Sequence, residues 1–134
     1  MKILVDINIF MDAMKKRKGW LESTRVINLV KNKKLEGFIS ALTPPIIYFH
    51  RLRFLGEINS RATTKKWTEK FKIVPLTEKI LTQSLESYLP EFEDNIQFYS
   101  AKKARVNYLI TRNKKHFQQK EIKVFTPDEF LETI

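Results

Sequence analysis

Four aspartates occur in the 134-residue chain: Asp6, Asp12, Asp94 and Asp128. Asp6 follows Ile3-Leu4-Val5, within an apolar run short enough to be a buried strand. A carboxylate at the end of such a strand is partly buried. That is costly unless a cation, a basic side chain or several backbone donors meet it. The structural role open to Asp6 is an N-cap for the helix that follows. Asp94 opens another helix, with Glu93 beside it, where the macrodipole favours negative charge. Asp128 belongs to a helix start, and Asp12 is expected to face solvent from the first helix. Asp6 and Asp94 are then the two carboxylates left to share a site.

The elements that must position them alternate in type. Short apolar runs predict strands over Ile3 to Ile7, Gly37 to Ile39, Lys72 to Leu76, Tyr108 to Ile110 and Ile122 to Phe125. Helices are expected around Ile9 to Lys15, through Trp20, Ile27 and Val30 to about Lys33, and from a Thr43-Pro44 start to about Phe71 with breaks. Leu81, Leu85 and Tyr88 recur at helical spacing, as do Ile96, Tyr99, Ser100 and Ala104. Thr126-Pro127-Asp128-Glu129 has the residues of a capping box, predicting a last short helix. The alternation predicts an α/β fold, one domain over residues 1–134. A parallel sheet of about five strands carries right-handed crossovers and helices on both faces. In such sheets ligands gather outside the carboxyl ends of the strands, where Asp6 lies.

Composition narrows the chemistry. Hydrophobic residues at 43% and charged residues at 30% give a globular balance. The absence of cysteine excludes disulfides, thiolate catalysis and cysteine-bound zinc. Asp6, Asn8 and Asp12 interrupt the N-terminal apolar stretch, so it does not read as a signal peptide. No segment approaches the length of a membrane span, and a cytoplasmic protein without membrane attachment is expected. The 25 Lys and Arg against 15 Asp and Glu leave a net charge of +10, which favours a polyanion such as nucleic acid, or an acidic protein. The basic clusters Lys15 to Lys18 and Lys31 to Lys34 fall near helix ends, where cations suit the dipole. Gly19, Gly37 and Gly56 are the only glycines and are too scattered for a phosphate-binding loop or a dinucleotide fingerprint. The third strand runs into Val74-Pro75-Leu76-Thr77, without the aspartate a receiver domain would place there. No motif around His50 or His116 supports a Ser-His-Asp hydrolase.

Several segments together carry a resemblance. Asp6-Ile7-Asn8-Ile9-Phe10-Met11-Asp12 resembles the opening motif of PIN domains, and Ser40-Ala41-Leu42-Thr43 their second-strand segment. Phe92-Glu93-Asp94-Asn95-Ile96-Gln97 is similar to their central acidic motif. Ile110 to Phe117 resembles the strand and loop that usually end in Asp-Phe, and Val124 to Phe130 the closing segment. The match is ordered and spans nearly the whole chain. The resemblance implies an acidic cluster that binds Mg²⁺ or Mn²⁺ and hydrolyses RNA, as in VapC-like toxins of toxin–antitoxin pairs. It assigns Asp6 and Asp94 as catalytic metal ligands, with Asn8, Glu93, Thr111 and Asn113 as supporting polar groups. Arg112, Lys114 and Lys115 are placed on the RNA backbone. It also implies an antitoxin protein partner and a homodimer.

Two positions depart from the pattern. Ile46 stands where a glutamate is usual, and His116 where the last aspartate is usual. Isoleucine cannot bind metal. Histidine can serve as an atypical ligand, although imidazole suits transition metals better than Mg²⁺. One ion held by Asp6 and Asp94 and completed by water and phosphate is the expected site. The alternative is a weak or inactive PIN domain that binds RNA or a partner protein.

Overall fold

The computed structural model describes residues 1–87, 91–117 and 121–134. Its strands are β1 (Lys2–Val5), β2 (Glu36–Ser40), β3 (Lys72–Val74), β4 (Tyr108–Ile110) and β5 (Lys123–Phe125). They form one all-parallel sheet in the order β3-β2-β1-β4-β5. The helices among the described residues are α1 (Ile7–Lys15), α2 (Trp20–Lys31), α3 (Thr43–Thr68), α4 (Glu78–Glu86), α5 (Phe92–Ala104) and α6 (Pro127–Glu132). The α/β architecture is the expected one. Boundaries move slightly: Ile7 opens α1 rather than closing β1, and β3 stops at Val74, before Pro75. Tyr88, placed at helical spacing after Leu85, lies outside the described residues.

Burial follows the two-residue period of a strand with both faces covered. Ile3 and Val5 of β1 join one apolar cluster with Phe10, Ile27, Ile47 and Phe130, under α1, α2, α3 and α6. Leu4, between them in sequence, joins the other with Ile80, Ile96, Leu109 and Val124, under α4 and α5. Gly37 of β2 is required by this packing. A Cβ there would lie 2.6 Å from Val30 Cγ1 and 2.8 Å from a ring carbon of Phe71.

Helix ends show local chemistry at work. Thr126 and Glu129 form the capping box, the Thr126 backbone N–H donating to Glu129 Oε1 at 3.0 Å, with Pro127 in the first turn. The start of α3 differs from expectation. Leu42 holds the N-cap position, and the Thr43 hydroxyl is buried without a hydrogen-bond partner among the described residues. The break expected in α3 falls at Gly56, where φ 76° and ψ 173° interrupt the helix. No helix of the described residues is long and apolar enough to cross a membrane.

Candidate active site

β1 lies at the centre of the sheet with β2 on one side and β4 on the other. The chain runs outward from β1 through β2 to β3, then returns to β4 on the opposite flank. The carboxyl ends of β1 and β4 therefore bound a topological switch point, the usual place for a ligand crevice. Val5 pairs with Ile110 at the end of the register, so the next residues out are Asp6 and Thr111. They meet: the Thr111 hydroxyl donates to Asp6 Oδ2 at 2.8 Å, and the Asp6 N–H donates to the Ile110 carbonyl at 3.0 Å.

Asp6 takes the N-cap position of α1, but its side chain makes no capping hydrogen bond. Its carboxylate is 1% exposed, and Oδ1 is buried without a hydrogen-bond partner among the described residues. Burial raises the Asp6 pKa from 3.8 to about 6. The Thr111 hydroxyl opposes the rise, the nearby Asp94 charge adds to it, and the Asn8 backbone and side chain oppose it. A carboxylate desolvated beside a second carboxylate favours a bound cation or a proton.

Asp94 lies in the first turn of α5, which packs across β1 and β2. Burial raises its pKa, the His116 hydrogen bond and charge oppose that, and Glu91 and Glu93 reinforce it. His116 ends a single 3-10 turn (Lys114–His116) after β4, with its Nδ1 3.0 Å from Asp94 Oδ2. The histidine at the departing position thus sits directly on the second carboxylate. Ile46, at the other departing position, is half-buried in the first turn of α3 and packs against the apolar cluster. Among the described residues no group of three or more His, Cys, Asp or Glu side chains is arranged to hold a metal ion. The orphaned Asp6 Oδ1 and the adjoining Asp94 do fit one hard cation that keeps water or phosphate on its other positions. They do not furnish a closed cage or a two-ion cluster.

The remaining expected residues are placed as follows. Asn8 is half-buried in the first turn of α1, and Glu93 is exposed beside Asp94. The Asn113 backbone N–H donates to the Thr111 hydroxyl at 3.3 Å, bracing the group that holds Asp6. Lys115 is exposed. Lys114 is engaged with Glu129 at 2.9 Å, and this bond helps, after the Thr126 backbone N–H, to depress Glu129 to a pKa of about 2. Arg112 Nη1 is engaged with Asp12 Oδ1 at 2.7 Å.

That last contact corrects the expectation that Asp12 faces solvent. Asp12 is 2% exposed and is met by Arg112 and, at 3.7 Å, by Arg17. A helical wheel of α1 puts Asp12 near the surface, but the loop after β4 folds over it. Gln97 is a second residue that sequence reasoning passed over. It is fully buried, and neither amide atom has a hydrogen-bond partner among the described residues. Its place three residues after Asp94, on the same helix face, was the available signal.

Comparison with known proteins agrees with the fold. A family model described as PIN domain matches residues 2–115. No curated protein matches the sequence. Among solved structures, a toxin–antitoxin complex from Klebsiella pneumoniae contains a similar chain, with TM-score 0.70 and 23% identity, covering 93% of this chain and 97% of that one. VapBC-1 from nontypeable Haemophilus influenzae gives TM-score 0.71 at 20% identity, covering 96% and 99%. Mycobacterium tuberculosis VapC20, described as a sarcin-ricin loop cleaving toxin, gives 0.59 at 14%, covering 80% and 86%. At these identities the structural likeness speaks for the fold.

Proposed function

This chain belongs to the PIN-domain family, and we propose that it is a metal-dependent endoribonuclease, the toxin of a toxin–antitoxin pair. One observation carries the chemistry: Asp6 Oδ1 is buried beside Asp94 with no hydrogen-bond partner among the described residues. A buried acceptor of that kind is costly unless something binds it. Asp6 and Asp94 would hold one Mg²⁺ or Mn²⁺. Such an ion supplies an activated water and stabilises negative charge on the phosphate oxygens.

The chain's own residues prepare that site. Thr111 fixes Asp6 through Oδ2 and leaves Oδ1, which would hold the cation, without a hydrogen-bond partner among the described residues. Asn8 and Asn113 orient water, and Glu93 adds negative potential beside Asp94. Lys115 takes the RNA backbone. Arg112 serves the same end with the guanidinium N–H donors that Asp12 does not use. Lys114 contributes to the backbone when it exchanges its Glu129 contact for phosphate. Likeness to chains from VapBC and other toxin–antitoxin complexes supports an antitoxin as protein partner. A homodimer and a cytoplasmic location accord with the same reading.

A second reading is an RNA-binding or partner-binding PIN domain without turnover. The His116–Asp94 contact favours it, because the imidazole ring occupies one of the carboxylate oxygens a cation would need. The half-buried Ile46 favours it too, since it supplies no oxygen. RNA incubated with the purified chain separates the two. The first reading expects cleavage that requires Mg²⁺ or Mn²⁺, stops with chelator and stops in Asp6→Asn. Undiminished cleavage by Asp6→Asn sinks the proposed chemistry. Salt-sensitive RNA binding without cleavage supports the second.

A further inference from the structure

One face of α3 carries exposed rings among cations. Positions 46, 49, 50, 53 and 54 are spaced by three and four residues, so they lie along one side of the helix. The stripe begins at the half-buried Ile46, in the first turn of α3, and continues through Phe49, His50, Arg53 and Phe54. Phe49 is 71% exposed and Phe54 65% exposed, although phenylalanine is a residue that folding ordinarily buries. With Lys15, at the far end of α1, Phe49, His50, Arg53 and Phe54 line a cleft of ≈240 Å³.

The charges on this face are uncompensated. No acidic side chain forms an ion pair with Lys15, Arg51 or Arg53 among the described residues. Arg51 and Arg53 instead both stack over the Phe54 ring, each 5.4 Å from its centroid. The crowding of like charge is felt: after burial, repulsion from Arg17, Arg51 and Arg53 lowers the Lys15 pKa. The face also adjoins the candidate site. His50 lies within electrostatic reach of Glu93, the neighbour of Asp94. Helix α1 has Asp6 at its N-cap and Lys15 as its last residue, about 13 Å apart at 1.5 Å per residue.

We propose that this face is a subsite for unpaired nucleotides of an RNA strand, with Phe49 and Phe54 stacking on bases and Lys15, Arg51 and Arg53 holding phosphates. The proposal rests on the RNA-directed reading above and deepens it. Exposed rings interleaved with cations are what sequence-tolerant single-strand binding uses. A base stacks on the ring and the backbone lies along the charges. A neutral apolar partner would leave three unpaired cations at its interface, whereas a polyanion meets both features. The strand would then run from the Asp6–Asp94 end of the crevice along α3.

The test is anisotropy titration of labelled oligouridylate and oligoadenylate into the full chain carrying Asp6→Asn. Binding is then measured apart from cleavage. Phe54→Leu, which keeps an apolar side chain and removes the ring, is expected to weaken binding roughly ten-fold. Arg51→Ala with Arg53→Ala should weaken it further and flatten the slope of log affinity against log salt by about 1.4, the value for two single-strand phosphates. Lys33→Ala with Lys34→Ala, at the opposite end of the sheet, should leave the affinity close to that of the parent. These side chains are exposed except for the half-buried Arg51, and an unchanged melting curve confirms intact folding. Parental affinity in the Phe54 or arginine variants overturns the proposal. So does a face whose substitution splits a dimer in sedimentation while RNA affinity stays constant, since a second copy of the chain would then cover it. Failure of the parent chain to cleave RNA would strike the metal chemistry and leave this binding result standing.

Discussion

Removing the Asp6 charge should stabilise the protein, in a pH-dependent and metal-reversible way. The carboxyl titrates at about 6 in the folded chain against an ordinary 3.8. At 1.36 kcal/mol per pH unit, that difference makes the ionised group cost about 3 kcal/mol of stability at pH 8. Because the folded pKa is the higher one, the native state binds the extra proton. The Asp6 contribution to stability is therefore full below about pH 4 and declines as pH rises through about 6. Asp6→Asn keeps an oxygen to accept the Thr111 hydroxyl but leaves an amide N–H₂ to find an acceptor, so about 3 kcal/mol is a ceiling. Urea unfolding with chelator present should show the variant more stable than the parent at pH 8, with the advantage gone near pH 4. A gain of that size corresponds to a melting temperature roughly 10 °C higher. Adding Mn²⁺ to a hundred-fold excess over its dissociation constant should restore about 2.7 kcal/mol to the parent and nothing to the variant. A variant equal to or less stable than the parent at pH 8 would refute the argument that Asp6 is a desolvated, charge-frustrated carboxylate.

Gly37→Ala should destabilise by about 1–3 kcal/mol in the same assay, because the new Cβ meets the stiff Val30 side chain at 2.6 Å. Val30→Ala in that background should recover part of the loss. Arg112→Ala should cost about 2 kcal/mol, since it deprives the buried Asp12 carboxylate of its 2.7 Å partner. The loss should shrink when Asp12→Asn is added, and a cost that persists there would point to packing instead. Ile46→Glu with His116→Asp should raise Mg²⁺ affinity at least about ten-fold by calorimetric titration, since it adds charged oxygen donors and removes an imidazole from Asp94. Unchanged affinity would mean these positions do not face the cation.

Where sequence and structure agree, the reason is local. Ile3-Leu4-Val5 and Tyr108-Leu109-Ile110 are short apolar runs that read as strands in any context. An aspartate and a threonine follow them at matched positions, and parallel register then brings Asp6 to Thr111 without further information. Thr126 and Glu129 likewise satisfy each other within one turn. The failures are tertiary. The pattern of α1 alone exposes Asp12 to solvent. Its partner Arg112 arrives from 100 residues away, on a loop whose path no local pattern encodes. The contact of His116 with Asp94 depends on a single 3-10 turn after β4, below the length at which periodicity is readable. Thr43 was a plausible cap by type, yet the chain enters α3 one residue earlier, at Leu42. Gln97 was hidden within α5, a helix buried on most of its circumference, where polar and apolar positions do not separate into faces.

The central place of β1 also sets a schedule. β1 waits long for its second neighbour, because β4 lies more than 100 residues downstream. Asp6 and Thr111, 105 residues apart, cannot meet until Thr111 has been made. At translation rates of roughly 5–20 residues per second, the crevice stays unassembled for several seconds of synthesis. A nascent chain of this topology has no finished crevice until its fourth strand has emerged.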